Sequence, residues 1–199
     1  MNALNNILRY MPILIMSLLS LSTYWLVKAT TPQTQETRAK QHIPDYIVDG
    51  VTMTSLRADG STKSRILSRK LVHFEDDLSS HLEYPIARQF NPGKPAVTVR
   101  SDTGILNGDM SLLDLIGNAT LIRPNQPATD SMQALPRLYM ASSHFTVFLN
   151  DDVVKTTRPV TLEQGLSIMT SQEGAIYDNV RQKLTMIGTV RGRLEVEKK

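Results

Sequence analysis

The sequence predicts an all-β domain, two antiparallel sheets built from a duplicated unit, behind one membrane-spanning helix. Three observations predict it. They are an uncharged apolar run near the N-terminus, short alternating strands between regular turn signals, and a repeat relating the two halves of the remaining chain.

Between Arg9 and Lys28 run 18 uncharged residues, Tyr10 to Val27, with Ile13-Leu14-Ile15-Met16 and Leu18-Leu19 at their heart. As a helix they span about 27 Å, close to the roughly 30 Å hydrocarbon thickness of a bilayer. Tyr10 near one end and Tyr24-Trp25 near the other are placed like an aromatic belt. The alternative is a cleaved signal peptide, with Val27-Lys28-Ala29 as its cleavage context. Charges of the same sign flank both ends, so length sets the orientation. Residues 1–9 are a short cytoplasmic N-terminus, 10–27 the span, 28–41 a Thr-, Gln- and Ala-rich tether, and 42–199 a domain on the far side.

Charge excludes one class of partner. Arg9, Lys28, Arg38 and Lys40 against Glu36 supply the whole net charge of +3, so residues 41–199 carry equal numbers of cations and acids. A neutral domain has no electrostatic footprint for phosphate backbones, so no nucleic acid is expected. Cysteine is absent, which excludes disulfides, thiolate metal sites and a cysteine nucleophile.

Past Ile43, no window of 12 residues holds an apolar period of 3.6. Short runs rich in Val, Ile, Leu and Thr alternate with turn signals such as Ala58-Asp59-Gly60-Ser61, Asn107-Gly108-Asp109 and Asn150-Asp151-Asp152. The two halves match in order at an offset of 70 to 75 residues. Ile66-Leu67-Ser68 lies over Met140-Ala141-Ser142, Phe74-Glu75-Asp76-Asp77 over Leu149-Asn150-Asp151-Asp152, and Tyr84-Pro85-Ile86 over Arg158-Pro159-Val160. Ser101-Asp102-Thr103-Gly104 then meets Ser171-Gln172-Glu173-Gly174, and Ile116-Gly117-Asn118-Ala119 meets Ile187-Gly188-Thr189-Val190. Two stacked copies of one strand-turn-strand unit follow, joined by the proline-containing stretch Arg123 to Pro136.

Alternation separates a dry face from a wet one. Leu113, Leu115, Ala119 and Leu121 point one way, Asp114, Asn118 and Thr120 the other. Leu184, Met186, Val190, Leu194 and Val196 repeat the dry stripe near the C-terminus, against Lys183, Thr185, Thr189, Arg191, Arg193 and Glu195. Gly117 and Gly188, mid-strand on the inner face, signal bends or close backbone approach. His42, His73, His81 and His144 lack metal-binding spacing, and His73 and His81 beside Asp76 and Asp77 read as a solvated turn, so no metal is expected. There is no Gly-x-Ser-x-Gly elbow and no phosphate loop.

The apolar anchor, Ile43-Pro44-Asp45-Tyr46, His73-Phe74-Glu75-Asp76-Asp77, Arg158-Pro159-Val160-Thr161-Leu162, and the ending Gly174 to Ile187-Gly188-Thr189-Val190-Arg191-Gly192 together resemble lipopolysaccharide export system protein C over essentially the whole length. The resemblance implies a periplasmic β-jellyroll, V-shaped in section, on a single-pass inner-membrane helix. It also implies a role in lipopolysaccharide transport. The helix and a first strand near Val48 to Leu56 would meet the inner-membrane lipopolysaccharide ABC transporter subunits, and a last strand, Leu184 to Val196, the periplasmic bridge protein. Catalytic residues and cofactors are none; the chain is expected not to be an enzyme. On this pattern the lipid-binding stripe is Ile66, Leu82, Val97, Val99, Leu113, Leu115, Ala119, Leu121, Phe145, Val147, Leu184, Met186 and Val190. The competing expectation is a membrane-anchored scaffold that pairs strands with envelope partners and binds no lipid. An apolar cavity open along a seam favours the relay, a closed core the scaffold.

Overall fold

The computed structural model describes residues 2–30, 42–128 and 134–195, with side chains in the first helix from Tyr10 onward. Two compact units result, residues 1–41 and 42–199. The expected tether beyond Thr30, the middle of the Arg123 to Pro136 connection, and Val196 with the C-terminal Glu197-Lys198-Lys199 fall outside the described residues.

The first unit holds helix α1 (Asn2–Thr30), which continues past the expected limit at Val27. Its stretch Tyr10–Thr30, 21 residues, is long and apolar enough to cross a membrane. Two hydroxyls in it are satisfied within the helix: Thr23 Oγ1 donates to the Leu19 carbonyl at 2.8 Å and Thr30 Oγ1 to that of Leu26 at 2.7 Å. Such internal pairing is what a hydrocarbon environment demands, where no water can serve.

Every element described in the second unit is a strand: β1 (Pro44–Leu56), β2 (Thr62–Phe74), β3 (Ser80–Glu83), β4 (Ile86–Gln89), β5 (Val97–Arg100), β6 (Thr103–Leu106), β7 (Leu112–Arg123), β8 (Leu138–Phe148), β9 (Val153–Thr156), β10 (Val160–Gln164), β11 (Ser167–Ser171), β12 (Ala175–Asp178), β13 (Lys183–Met186) and β14 (Val190–Arg193). All pairings are antiparallel.

The long strands change partner halfway. β2 pairs β4 through Ser64 to Leu67 and β3 through Lys70 to His73. β7 pairs β6 up to Ile116 and β5 from Thr120, and β8 pairs β10 up to Ser142 and β9 from Thr146. Each long strand therefore passes from one sheet into the other. One sheet contains β3, β6, β9, β12 and β13; its partner contains β4, β5, β10, β11 and β14. The crossings line a crease. Opposite it lies the mouth, formed by the turns 57–61 and 90–96 of the second sheet and 107–111, 149–152 and 179–182 of the first.

The duplication holds strand for strand. β2 to β6 correspond to β8 to β12 with identical pairings, and β7 corresponds to β13 and β14 together. The two turns at the ends of β2 and β8 align at an offset of 74, because Phe74 N–H donates to Ser79 C=O across four residues just as Phe148 pairs with Val153. Leu78 (φ 58°) and Asp152 (φ 54°) thus match, which shifts the expected alignment of that turn by one residue. Phe148, not Leu149, stands over Phe74.

Gly117 shows why the crease needs glycine. The register of β7 on β8 slips between Ile116 and Ala119, one extra residue bulging out, and Gly117 takes φ 78° with Asn118 at φ 43°. The bulge bends the strand from one sheet to the other while leaving Leu115 and Ala119 both inside. At Gly188 (φ 73°) the second copy goes further, and the strand breaks into β13 and β14.

Candidate functional site

Ten of the thirteen stripe residues form one core between the two sheets. Ile66, Leu82, Val97, Val99, Leu113, Leu115, Ala119, Leu121, Phe145 and Val147 are all buried, the most exposed at 4 %. Cross-strand pairing explains their common face: Leu113 opposes Val147, Leu115 opposes Phe145, and Val99 opposes Leu121. On the opposite face, Thr146 Oγ1 donates to Asp114 Oδ1 at 2.7 Å.

The C-terminal members lie differently. Leu184 and Met186 are half-buried against the core, whereas Val190 is 42 % exposed. Val190 pairs with buried Ser171, so it points to the inner side, but among the described residues no further strand covers β14 there. Thr189 and Gly188 form the break between β13 and β14, not part of a continuous ladder, and Leu194 is exposed. The expected continuous last strand, Leu184 to Val196, is thereby corrected: the glycine that bends β7 interrupts its counterpart where no β8 supports it.

Alternation also places residues inside that the apolar stripe omitted. Ala87, Met140, Val154, Leu162 and Tyr177 belong to the core. Gln89 and Arg123, two residues beyond buried Ala87 and Leu121, are polar yet buried, and parity alone points them inward. Asn179 is fully buried as well. These polar groups lie at strand ends that face the mouth, and elsewhere along it a cleft of about 110 Å³ opens between Met53, Ser55, Lys63 and Ile66 of one sheet and Leu106, Met110, Leu149 and Asn150 of the other. The inner face is therefore buried along the crease, and a cleft opens at the mouth near β1.

The histidines find partners other than those the sequence suggested. His73 Nδ1 lies 2.7 Å from Asp45 Oδ1, and its ring stacks on Tyr46. His42 Nδ1 lies 3.0 Å from Asp76 Oδ2 and stacks on Phe74. Potential ligand atoms of His42, Asp76 and Asp77 fall within 4.8 Å of one another. The contact of His42 Nδ1 with the Asp76 carboxylate makes a surface hydrogen-bonded pair the simpler reading of this group. Both histidine pairs tie the start of β1 to the end of β2.

The outermost strands have one neighbour each. Among the described residues β1 pairs only with β2, leaving Tyr46, Ile47 and Val48 exposed on a 13-residue strand. Among the described residues β13 pairs only with β12, and β14 only with β11.

Comparison with known proteins gives a consistent picture. The family model for lipopolysaccharide-assembly, LptC-related proteins matches residues 12–195. A solved structure, LptH of Pseudomonas aeruginosa, the LptA-homologous periplasmic component of its lipopolysaccharide transport device, aligns with a TM-score of 0.50. The alignment covers 67 % of this chain and 95 % of LptH at 11 % identity, a likeness of fold. No curated protein matched the sequence.

Proposed function

The chain belongs to the lipopolysaccharide-assembly, LptC-related family, whose place is the lipopolysaccharide transport bridge, and from that premise we propose how this molecule acts within it. Tyr10–Thr30 anchors the chain in the inner membrane, and the jellyroll from residue 42 lies in the periplasm. Lipopolysaccharide arrives from the ABC transporter beside β1, lays its acyl chains along the inner stripe, and leaves beside β13 and β14 for the periplasmic bridge protein. The chain performs no chemical conversion and uses no cofactor in this reading; the family's members are transport scaffolds.

The observation that carries the proposal is one dry inner face that is buried through the strands between β2 and β12 and, among the described residues, ends at three single-neighbour strands, β1 on one side and β13 and β14 on the other. β1 stands to β2 as β7 stands to β8, so the lattice of pairings repeats with a missing neighbour at either end. Unpaired N–H and C=O groups on such strands favour strand addition, and a partner of the same architecture extends the inner face without a break. Burial of acyl chains there is worth about 0.8 kcal/mol per CH₂.

The burial of ten stripe residues against one another favours a second reading, a scaffold that pairs strands and carries no lipid. Photoreactive side chains separate the two. Placed at Leu115 and Val147 in the full chain, they trap lipopolysaccharide if the interior carries it, whereas at Asp114 and Thr146 they do not. Equal trapping on both faces, or none on either, rejects the relay.

A further inference from the structure

The mouth of the sandwich is closed by side chains whose chemistry suits neither a dry core nor an ordinary surface. Three cations reach across it from one sheet to the other. Lys63 Nζ, at the start of β2, lies 3.3 Å from the Asn150 carbonyl and 3.4 Å from its Oδ1. Lys94 Nζ, between β4 and β5, donates to the Val180 carbonyl. Arg123, at the end of β7 and 2 % exposed, donates from one terminal nitrogen to Gln182 Oε1 at 3.2 Å and from the other to the Pro136 carbonyl at 2.7 Å.

None of the three has a carboxylate partner. No ion pair among the described residues involves Lys63, Lys94 or Arg123. Three acids of the surrounding turns are engaged elsewhere, Asp59 accepting from Ser61, Asp109 from Ser111, and Asp178 pairing with Arg181, while Asp151 is exposed and makes no ion pair among the described residues. Asp152 lies behind them, and burial pushes its carboxyl up against the pull of the Lys63 and Arg57 charges, with no ion pair to either among the described residues. A guanidinium held under the surface by neutral oxygens alone is costly, and Arg123 Nε has no hydrogen-bond partner at all. Four more buried groups at this end, the Gln89 amide, Asn91 Nδ2, Asp152 Oδ1 and Asn179 Nδ2, are unpartnered too. Such atoms signal a ligand or a state in which their partners arrive.

The cleft of about 110 Å³ opens at the Lys63 end of this row of cations, with Lys63 on its rim and Met53, Ile66, Leu106 and Leu149 among its lining. An apolar floor under a cationic rim fits an acylated molecule with an anionic head. We propose that the mouth is a headgroup site: when acyl chains occupy the interior, Lys63, Lys94 and Arg123 exchange carbonyl and amide oxygens for those of the lipid's phosphate. The exchange replaces hydrogen bonds from a cation to a neutral oxygen by bonds in which donor and acceptor both carry charge. It also releases the bridges that hold the two sheets together, so the phosphate that is bound is what opens the mouth. The inference rests on the lipid-carrying reading above and adds to it the group that is recognised.

The test uses the full-length chain in detergent micelles with a photoreactive residue at Leu149, a lining residue of the cleft. It compares purified lipopolysaccharide with the same preparation stripped of phosphate by hydrofluoric acid. Trapping of the phosphorylated form is expected to exceed that of the stripped form by about tenfold, the scale of one or two charge-assisted contacts. Lys63→Gln combined with Lys94→Gln should bring the phosphorylated form down to the stripped level, and Lys63→Arg with Lys94→Arg should restore the difference. Equal trapping of both forms by the wild type overturns the headgroup site while leaving lipid carriage intact. So does a glutamine variant that still prefers phosphate, or one that loses both forms alike. Failure to trap either form in the wild type, with cooperative thermal unfolding retained, removes the lipid-carrying reading and this inference with it.

Discussion

The two copies of the unit share a strand plan and differ in what covers them. In the first copy, the closing strand β7 survives its glycine bulge, and Leu113, Leu115, Ala119 and Leu121 are fully buried. In the second, the same plan yields two short strands, half-buried Leu184 and Met186, and exposed Val190. The local patterns are alike; the neighbour is not. β8 lies against β7 over ten register positions, whereas β13 and β14 have a single neighbour each among the described residues. Burial, and the continuity of a bent strand, are therefore properties of the pairing and not of the strand.

The crease gives the largest contrast. Gly174 sits at φ 111°, where a Cβ would come within 2.0 Å of the Thr156 carbonyl oxygen, while at Gly104, in the motif aligned with it, a Cβ would meet Pro85 Cγ at 3.0 Å. Gly174→Ala should cost roughly 3 kcal/mol or more, from the left-handed backbone and a clash with main chain that cannot swing away. Gly104→Ala should cost about 1 kcal/mol. Urea unfolding of both variants checks the order, and equal midpoints would mean that the two crease positions are equivalent after all.

The stripes themselves come next. Leu115→Ala empties a site with no exposed surface and should cost about 3 kcal/mol, whereas Leu184→Ala, at the half-covered end, should cost about 1 kcal/mol. A similar loss at both would show that the C-terminal strands are covered in solution.

The smallest effect is one of sign. Asp109, on a first-copy turn, is held below the usual carboxylate range by hydrogen bonds from the Ser111 hydroxyl and N–H. It stabilises the fold above its unfolded pKa, and that contribution is lost as pH falls through the lower folded value. Asp152, on a second-copy turn, is raised by burial. Its proton is favoured by folding, so stability falls as pH rises from the unfolded pKa through the folded one. Asp109→Asn should thus lower the urea midpoint at pH 7 with the difference fading in acid, and Asp152→Asn should raise it at pH 7 with the gain fading in acid. Parallel pH profiles for the two variants would contradict the assignment.

Much of this was legible from the chain alone. Periodicity of two and turn residues give the strands, because a half-buried strand must alternate whatever surrounds it. The order of five weak matches gives the duplication, and the structure places each match at an equivalent turn, crossing or strand. The mouth was partly legible: parity after Ala87 and Leu121 turns Gln89 and Arg123 inward, but a rule that looks for apolar stripes passes over them.

What the sequence by itself determined about this protein is therefore local and periodic: an apolar helix, strands with a dry face, glycine at two bends, and a unit written twice. The tertiary structure alone decided that β7 runs through its bend while its counterpart breaks. It decided that Val190 faces inward yet remains exposed, that His42 rather than His81 meets Asp76, and that three cations close the mouth against neutral oxygens. The physical reason is range. Alternation and turn chemistry act over two to four residues, whereas Lys63 and Asn150 are 87 positions apart and meet only because two sheets share the same bent strands.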